Sequence, residues 1–281
     1  MNHLSINIKG SLHHFHKPWV MGILNVTPDS FFAESRTIET DDIRRRVDDL
    51  ISQGADIIDI GGYSSRPGAP EVSTDEEYSR LARGLETIRK YHPDTLISVD
   101  TFRADVARRC VSDWEADIIN DISGGNLDAE MWPTVAELQV PYILMHMRGT
   151  PSSMQSLCDY NDVTADVIRD LAFKIDAMHQ LGIADIIVDP GFGFAKDINQ
   201  NYQLMAELDQ FKQLNAPLLV GISRKSMIYR PLDITPQTAI NGTTVLNTFA
   251  LLHGANILRV HDVKEAVEAV KIIDLIKQNT P

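Results

Sequence analysis

Val20-Met-Gly-Ile-Leu-Asn25-Val-Thr-Pro-Asp29-Ser30 decides how this 281-residue chain is read. An apolar run that ends abruptly in Asn, Thr and Asp is how a barrel strand delivers polar groups to a site. The pattern recurs in Asp56-Ile-Ile-Asp59-Ile-Gly-Gly62, Leu96-Ile-Ser-Val-Asp100-Thr101, Ile118-Ile-Asn120-Asp-Ile122 and Tyr142-Ile-Leu-Met-His146-Met-Arg148. It returns in Ile186-Ile-Val-Asp189-Pro-Gly191, Leu218-Leu-Val-Gly-Ile-Ser223-Arg-Lys225 and Ile257-Leu-Arg259-Val-His261, eight occurrences in all.

Short, nearly continuous apolar runs suit parallel strands buried on both faces. Between them lie stretches of helical period, such as Val163, Val167, Ile168, Leu171, Ile175 and Met178, or Val263, Ala266, Val267, Val270 and Ile273. Eight strand–helix units in 281 residues predict an α/β fold, a (β/α)8 TIM barrel of the usual ~250-residue size. An open doubly wound sheet is the rival arrangement. In a barrel the C-terminal strand ends share one mouth, so polar residues spread along the chain converge there.

At 43% hydrophobic and 23% charged residues, with no linker-like tract, the chain reads as one domain over 1–281. Residues 1–17 precede the eightfold pattern. Leu4, Ile6 and Ile8 alternate with polar residues before Gly10, which predicts a small β-hairpin plugging the barrel floor. His13, His14 and His16 are expected on a solvated loop rather than around a metal. There is neither a membrane-span run nor a signal-peptide plan, so a cytoplasmic location is expected. Cys110 and Cys158 lack metal-binding or disulfide-framework spacing.

A formal charge of −13 argues against a nucleic-acid partner. It also repels anions, but that field is screened beyond ~8 Å at physiological salt. Arg66, Lys225, Arg259 and His261 cluster near strand ends and suggest a negatively charged small molecule. Two loops add to this: Gly61-Gly62-Tyr-Ser-Ser65-Arg66-Pro67-Gly68 and Met147-Arg148-Gly149-Thr150-Pro151-Ser-Ser-Met154-Gln155. Their glycines allow close backbone approach and positive φ, and Arg offers a planar fork for phosphate or carboxylate.

Taken in order, these segments resemble dihydropteroate synthase over essentially the whole chain: Met21–Ser30, Asp56–Gly62, Ser65–Gly68, Ser98–Thr101, Met145–Gly149, Asp189–Phe194, Ser223–Lys225 and Arg259–His261. The resemblance implies a homodimeric transferase that forms a C–N bond. It would join 6-hydroxymethyl-7,8-dihydropterin pyrophosphate to 4-aminobenzoate with Mg²⁺ as cofactor, and sulfonamides would inhibit it.

By that resemblance Asp189 accepts the paired donors of the pterin edge, a bidentate use of a buried carboxylate. Asp100, Asn120, Met145, Phe192, Gly221 and Lys225 complete the pterin contacts. Ser65, Arg66, Pro67 and Ser226 take the aminobenzoate, the last at a helix start where free N–H groups bind anions. Asn25, Arg66, Arg259 and His261 hold the pyrophosphate, and Asn25 holds Mg²⁺, which keeps several waters and few protein ligands. Asn25, Asp29, Lys225, Arg259 and His261 form the catalytic set.

Plainer roles compete for several of these residues. Asp189, Asp100, Asn120 and Ser226 could be helix caps, Lys225 a solvated lysine, His261 a packed core histidine and Asn25 a structural hydrogen-bonder. Mechanistically, leaving-group charge would be stabilised by Arg259, His261 and Mg²⁺ while the arylamine attacks with its own lone pair. The loops 27–37 and 62–69 are expected to close over the ligands. The chain departs from the family pattern at Tyr63-Ser64-Ser65, where many members have Glu-Ser-Thr, and at Phe32-Ala33-Glu34-Ser35. A pterin-dependent methyltransferase and a catalytically silent pterin-binding protein are the alternatives.

Overall fold

Alternation inside the apolar runs decides which side chains enter the barrel and which face its helices. The computed structural model describes residues 4–27, 36–63 and 72–279. Asp29, Ser65, Arg66, Pro67 and most of both expected closing loops therefore lie outside the described residues.

Two strands open the chain, β1 (Ser5–Ile8) and β2 (Ser11–His14), paired antiparallel with Ile8 opposite Ser11. Lys9 at φ 50° and Gly10 at φ 81° make the turn, the pair of left-handed residues that a type I′ hairpin requires. Eight parallel strands follow among the described residues: β3 (Trp19–Asn25), β4 (Ile57–Gly61), β5 (Leu96–Asp100), β6 (Ile118–Asp121), β7 (Tyr142–Met145), β8 (Ile186–Asp189), β9 (Leu219–Val220) and β10 (Ile257–Val260). Their order is β8-β7-β6-β5-β4-β3-β10-β9. A bridge between Val188 and Leu218, with Val188 N–H donating to Pro217 O at 2.8 Å, joins the two ends and closes the ring. That closure rules out the open doubly wound sheet.

The helices are α1 (Arg36–Ser52), α2 (Thr74–Tyr91), α3 (Ala104–Trp114), α4 (Met131–Leu138), α5 (Val163–Gln180), α6 (Ile198–Ala206), α7 (Ser226–Tyr229), α8 (Ile240–Leu252) and α9 (Val263–Gln278). The four-residue α7 is an extra turn between β9 and α8. In α5 the predicted stripe of Val163, Val167, Ile168, Leu171, Ile175 and Met178 is buried. In α9, Val263, Ala266, Val270 and Ile273 are buried, with Val267 packed at the margin. None of the described helices is long and apolar enough to cross a membrane.

Two apolar clusters make most of the core. One fills the space between barrel and helices. The other lies inside the barrel at its N-terminal end and joins Met21, Ile57, Ile118, Ile143, Ile187, Leu219 and Ile257 to Ile6, Ile8, Phe15 and Trp19. The hairpin thus plugs the floor, as its alternation predicts. Ile6 is fully buried and Ile8 nearly so, each burial stabilising by ~1.5–3 kcal/mol. His14 and His16 are exposed and His13 half-buried, and among the described residues no His, Cys, Asp and Glu group could hold a metal.

Candidate active site

The strand positions that are apolar at the floor become polar one step higher with the same parity. Above Ile57 stands Asp59, above Leu96 stands Ser98, above Ile118 stands Asn120, above Ile187 stands Asp189 and above Ile257 stands Arg259. Strand register sets Asp59 opposite Ser98 and Asp100 opposite Asn120. A polar tier therefore sits directly on an apolar floor, inside the mouth of the barrel.

Asp59 is the hub of that tier and is fully buried. Its Oδ1 accepts from Ser98 Oγ at 2.6 Å, and Asn120 Nδ2 donates to both carboxylate oxygens at 3.2 Å. Arg259 Nε donates to Asp59 Oδ2 at 2.6 Å, and Arg259 Nη2 donates to Asp100 Oδ2 at 2.6 Å. Two carboxylates around one guanidinium keep it charged despite burial. Burial pushes Asp100 up to about 7, against the pull of Arg259 and with Asp59 adding repulsion. With its Nδ2 committed to Asp59, Asn120 can offer a ligand its carbonyl oxygen.

Gly221 connects this cluster to Asp189, since a Cβ there would lie 3.8 Å from Arg259 Cβ and from Asp189 Oδ2. Asp189 is buried, and its Oδ1 accepts from Gly191 N–H at 2.8 Å. Burial raises its pKa, with Lys225 and the Gly191 N–H pulling the other way. Lys225 Nζ donates to Phe192 O at 2.6 Å and lies 4.8 Å from the centre of the Phe194 ring. Burial lowers Lys225 to about 8, resisted by Asp189. This pairing is unlike a solvated surface lysine.

His261 is half-buried at the end of β10, with Nδ1 3.1 Å from Ser223 Oγ. Burial and Arg259 lower it to about 4, so it is neutral at pH 7. The backbone between these residues is shaped by Arg224, which has φ 55° and whose guanidinium turns away to hold Asp262 through Nε at 2.9 Å and Nη2 at 2.5 Å. Asn25 is half-buried at the end of β3. A Cβ at Gly61 would lie 3.7 Å from Asn25 Oδ1 and 3.6 Å from Asp100 Cβ, so Gly61 sits between these two residues.

None of Asp189, Asp100, Asn120 and Ser226 is a helix N-cap. The N-caps of α3, α4 and α6 are Arg103, Glu130 and Asp197. Ser226 is the first residue of α7, with Lys225 at the cap position. Phe192 is fully buried in the main core and reaches the site through its carbonyl rather than its ring. Met145 joins Ile122, Met147, Met154 and Ala195 in an apolar cluster beside the mouth, with Phe102, Leu127 and Phe194 packed on it.

Gly62 departs from the expectation of positive φ. Its role is close packing, because a Cβ there would meet Glu77 O at 2.9 Å. Gly149, at φ 72°, behaves as expected. Tyr63 packs edge-on against Phe102 at 5.1 Å. Sequence reasoning quoted Asp59 and Ser98 within its strand motifs but gave neither a role in the site. It also missed buried Lys196, whose amine donates to Gly191 O and Phe194 O at 3.0 Å and lies 3.1 Å from His146 Nδ1.

A closed α/β barrel carries in its mouth a buried carboxylate, a lysine held by the turn that follows it, and an arginine–carboxylate cluster with a half-buried histidine, a set of polar groups suited to a small molecule. The chain belongs to the pterin binding enzyme family, which residues 21–261 match. Dihydropteroate synthase of Escherichia coli K12 is 44% identical over 263 residues, covering 92% of this chain and 91% of that protein. The Synechocystis enzyme of the same name is 40% identical, covering 92% of this chain and 90% of its own length. Among solved structures, the Yersinia pestis dihydropteroate synthase in complex with a sulfonamide drug superposes with a TM-score of 0.90 at 38% identity, covering 99% of this chain and 100% of that one. The Xanthomonas albilineans enzyme with 4-aminobenzoic acid also gives 0.90, at 35% identity and 100% coverage of both chains.

Proposed function

We infer that the chain acts as a dihydropteroate synthase, condensing 6-hydroxymethyl-7,8-dihydropterin pyrophosphate with 4-aminobenzoate to give 7,8-dihydropteroate and pyrophosphate. The observation that carries this reading is buried Asp189, with Lys225 held to the carbonyl of Phe192 in the turn that follows it, set across Gly221 from the Arg259 cluster. Sulfonamides, which resemble the arylamine substrate, are inhibitors on this reading.

Asp189 accepts from the amino and ring N–H donors of the pterin. Lys225 faces the same ring, and Asn120 and Asp100 meet the remaining edge. The Met145 cluster gives the ring an apolar wall. Arg259 and His261 face the leaving pyrophosphate, whose developing negative charge they stabilise. Because His261 starts neutral, it gains a proton most readily once that anion is beside it. The arylamine attacks the pterin methylene with its own lone pair and loses its proton afterwards, so no strong base is required. Ser65, Arg66 and Pro67, with the start of α7 at Ser226, are assigned to the aminobenzoate, and Asp29 to the catalytic set.

Mg²⁺ suits this donor set. The carboxylates of Asp59 and Asp100 are committed to Arg259, while the Asn25 amide oxygen stands at the rim. A hard cation that keeps most of its water and meets phosphate oxygens needs little more from the protein. When bound at Asn25, Mg²⁺ would share the charge of the departing pyrophosphate.

A homodimer is supported by the outer faces of α8 and α9, which pack together and leave Val245, Leu252, Ile272 and Leu275 exposed. Free Cys110 and Cys158 accord with the cytoplasm. The test mixes protein, Mg²⁺, the pterin pyrophosphate and labelled 4-aminobenzoate. Labelled dihydropteroate supports the reading. Pterin binding without product would leave a silent binding protein, and methyl transfer the related methyltransferase.

A further inference from the structure

Lys196 is a fully enclosed amine on no strand of the barrel, and the reaction as derived does not use it. It is 3% exposed, and its Nζ donates to two carbonyls of one loop, Gly191 O and Phe194 O, both at 3.0 Å, and lies 3.1 Å from His146 Nδ1 at the end of the neighbouring strand. His146, 2% exposed, grips the same loop through its backbone, since its N–H donates to Asp189 O at 3.0 Å. The contact between them is so close that a Cβ on Gly191 would lie 2.0 Å from His146 O.

We propose that Lys196 and His146 are positioning residues for the pterin half of the site, clamping the 189–194 turn so that it presents the Asp189 carboxylate and the Phe192 carbonyl in fixed register. The proposal rests on the reading of Asp189 as the pterin carboxylate. The clamp acts at both ends of the turn. At one end the Gly191 N–H that orients Asp189 Oδ1 belongs to the residue whose carbonyl Lys196 holds. At the other, Phe192 O receives Lys225 Nζ at 2.6 Å, so a shift of the turn displaces the lysine and the carboxylate together. Asn201 completes the clamp, accepting from Gly193 N–H at 2.6 Å and donating to Lys196 O at 3.2 Å. Burial and the nearby cations Lys196 and Lys174 keep His146 neutral, which suits an imidazole whose Nδ1 accepts from an amine.

None of these contacts touches the Arg259–His261 side, and this separation makes the proposal testable. In Lys196→Met the side chain keeps its length and loses its donors. Calorimetry with 6-hydroxymethylpterin should show affinity reduced about tenfold or more, as expected when a charge-assisted contact is misaligned. Pyrophosphate affinity, measured separately, should be unchanged. In turnover, KM for the pterin pyrophosphate should rise far more than kcat falls. Equal losses of pterin and pyrophosphate affinity would mark a general structural role and overturn the proposal. If Lys196→Met fails to fold, His146→Leu, which removes the acceptor, is judged by the same split. Failure of both to fold would make the pair a folding requirement and also overturn it. Asp189→Asn separates the two claims. If it loses pterin affinity while Lys196→Met does not, the clamp is wrong and the site stands; if neither loses affinity, the assignment of Asp189 itself fails.

Discussion

Replacing Asp59 by Asn probes the hub of the site with almost no change of shape. Asp59 is fully buried and receives Ser98 Oγ, Asn120 Nδ2 and Arg259 Nε. The amide keeps one acceptor oxygen and turns an NH₂ toward donors that cannot use it. Removing one partner of a buried ion pair costs ~3–5 kcal/mol. Here Arg259 keeps Asp100 at 2.6 Å and its side chain is 21% exposed, which places the loss at the lower end, ~3 kcal/mol. At roughly 2–4 °C per kcal/mol for chains of this size class, the melting temperature should fall by about 6–12 °C. The released Arg259 should also weaken pyrophosphate binding by about tenfold, the equivalent of one lost charge-assisted contact. Differential scanning fluorimetry and calorimetry with pyrophosphate read the two effects. A melting temperature and a pyrophosphate affinity both equal to those of the unaltered protein would refute the hub.

Asp189→Asn should lower pterin affinity by ~1.5–3 kcal/mol, because a neutral amide cannot satisfy the paired donors, and calorimetry with the pterin measures it. Chelation of Mg²⁺ should stop turnover and leave the melting temperature of ligand-free protein where it was; a drop of many degrees would make the metal structural and the reading of Asn25 wrong. His261 sits at about 4, below the ordinary histidine value of 6.5. As the pH falls from 6.5 toward 4 the unfolded chain takes up that proton first, so folded stability should decline across this window more steeply than in His261→Gln. Urea midpoints of the two proteins along a pH series decide the sign. Ile6→Ala should destabilise by ~2–5 kcal/mol through the empty floor of the barrel yet leave KM values alone, since the hairpin plug lies at the end of the barrel away from the mouth.

Much of this architecture was legible because a parallel barrel strand is short, apolar and ends at the chemistry. The recurring runs gave the strand count, and the alternation of Leu4, Ile6 and Ile8 gave the hairpin and its place beneath the floor. Asp59 was read as a polar residue at the mouth but given no role, because it sits inside a run, two residues before Gly61, where a carboxylate shows none of the partners that make it a hub. Period-two counting from Ile57 puts it on the lumen face, so the signal was present. Lys196 could not be found this way. It lies on a loop, and its importance comes from backbone carbonyls and from His146, 50 positions away, which no local pattern encodes. The backbone roles of Phe192 and Gly62 were hidden for a similar reason: composition suggests a ring and a flexible turn, whereas packing makes one a carbonyl ligand and the other a close-contact residue.

The stoichiometry of pyrophosphate release tests the central claim most directly. With the pterin pyrophosphate and Mg²⁺ supplied, a synthase built as described should release pyrophosphate only when 4-aminobenzoate is added, and in equal amount to the dihydropteroate formed. A sulfonamide should suppress dihydropteroate formation in competition with aminobenzoate. Pyrophosphate released steadily without any arylamine, or aminobenzoate left unconsumed while the pterin is bound, would contradict the account.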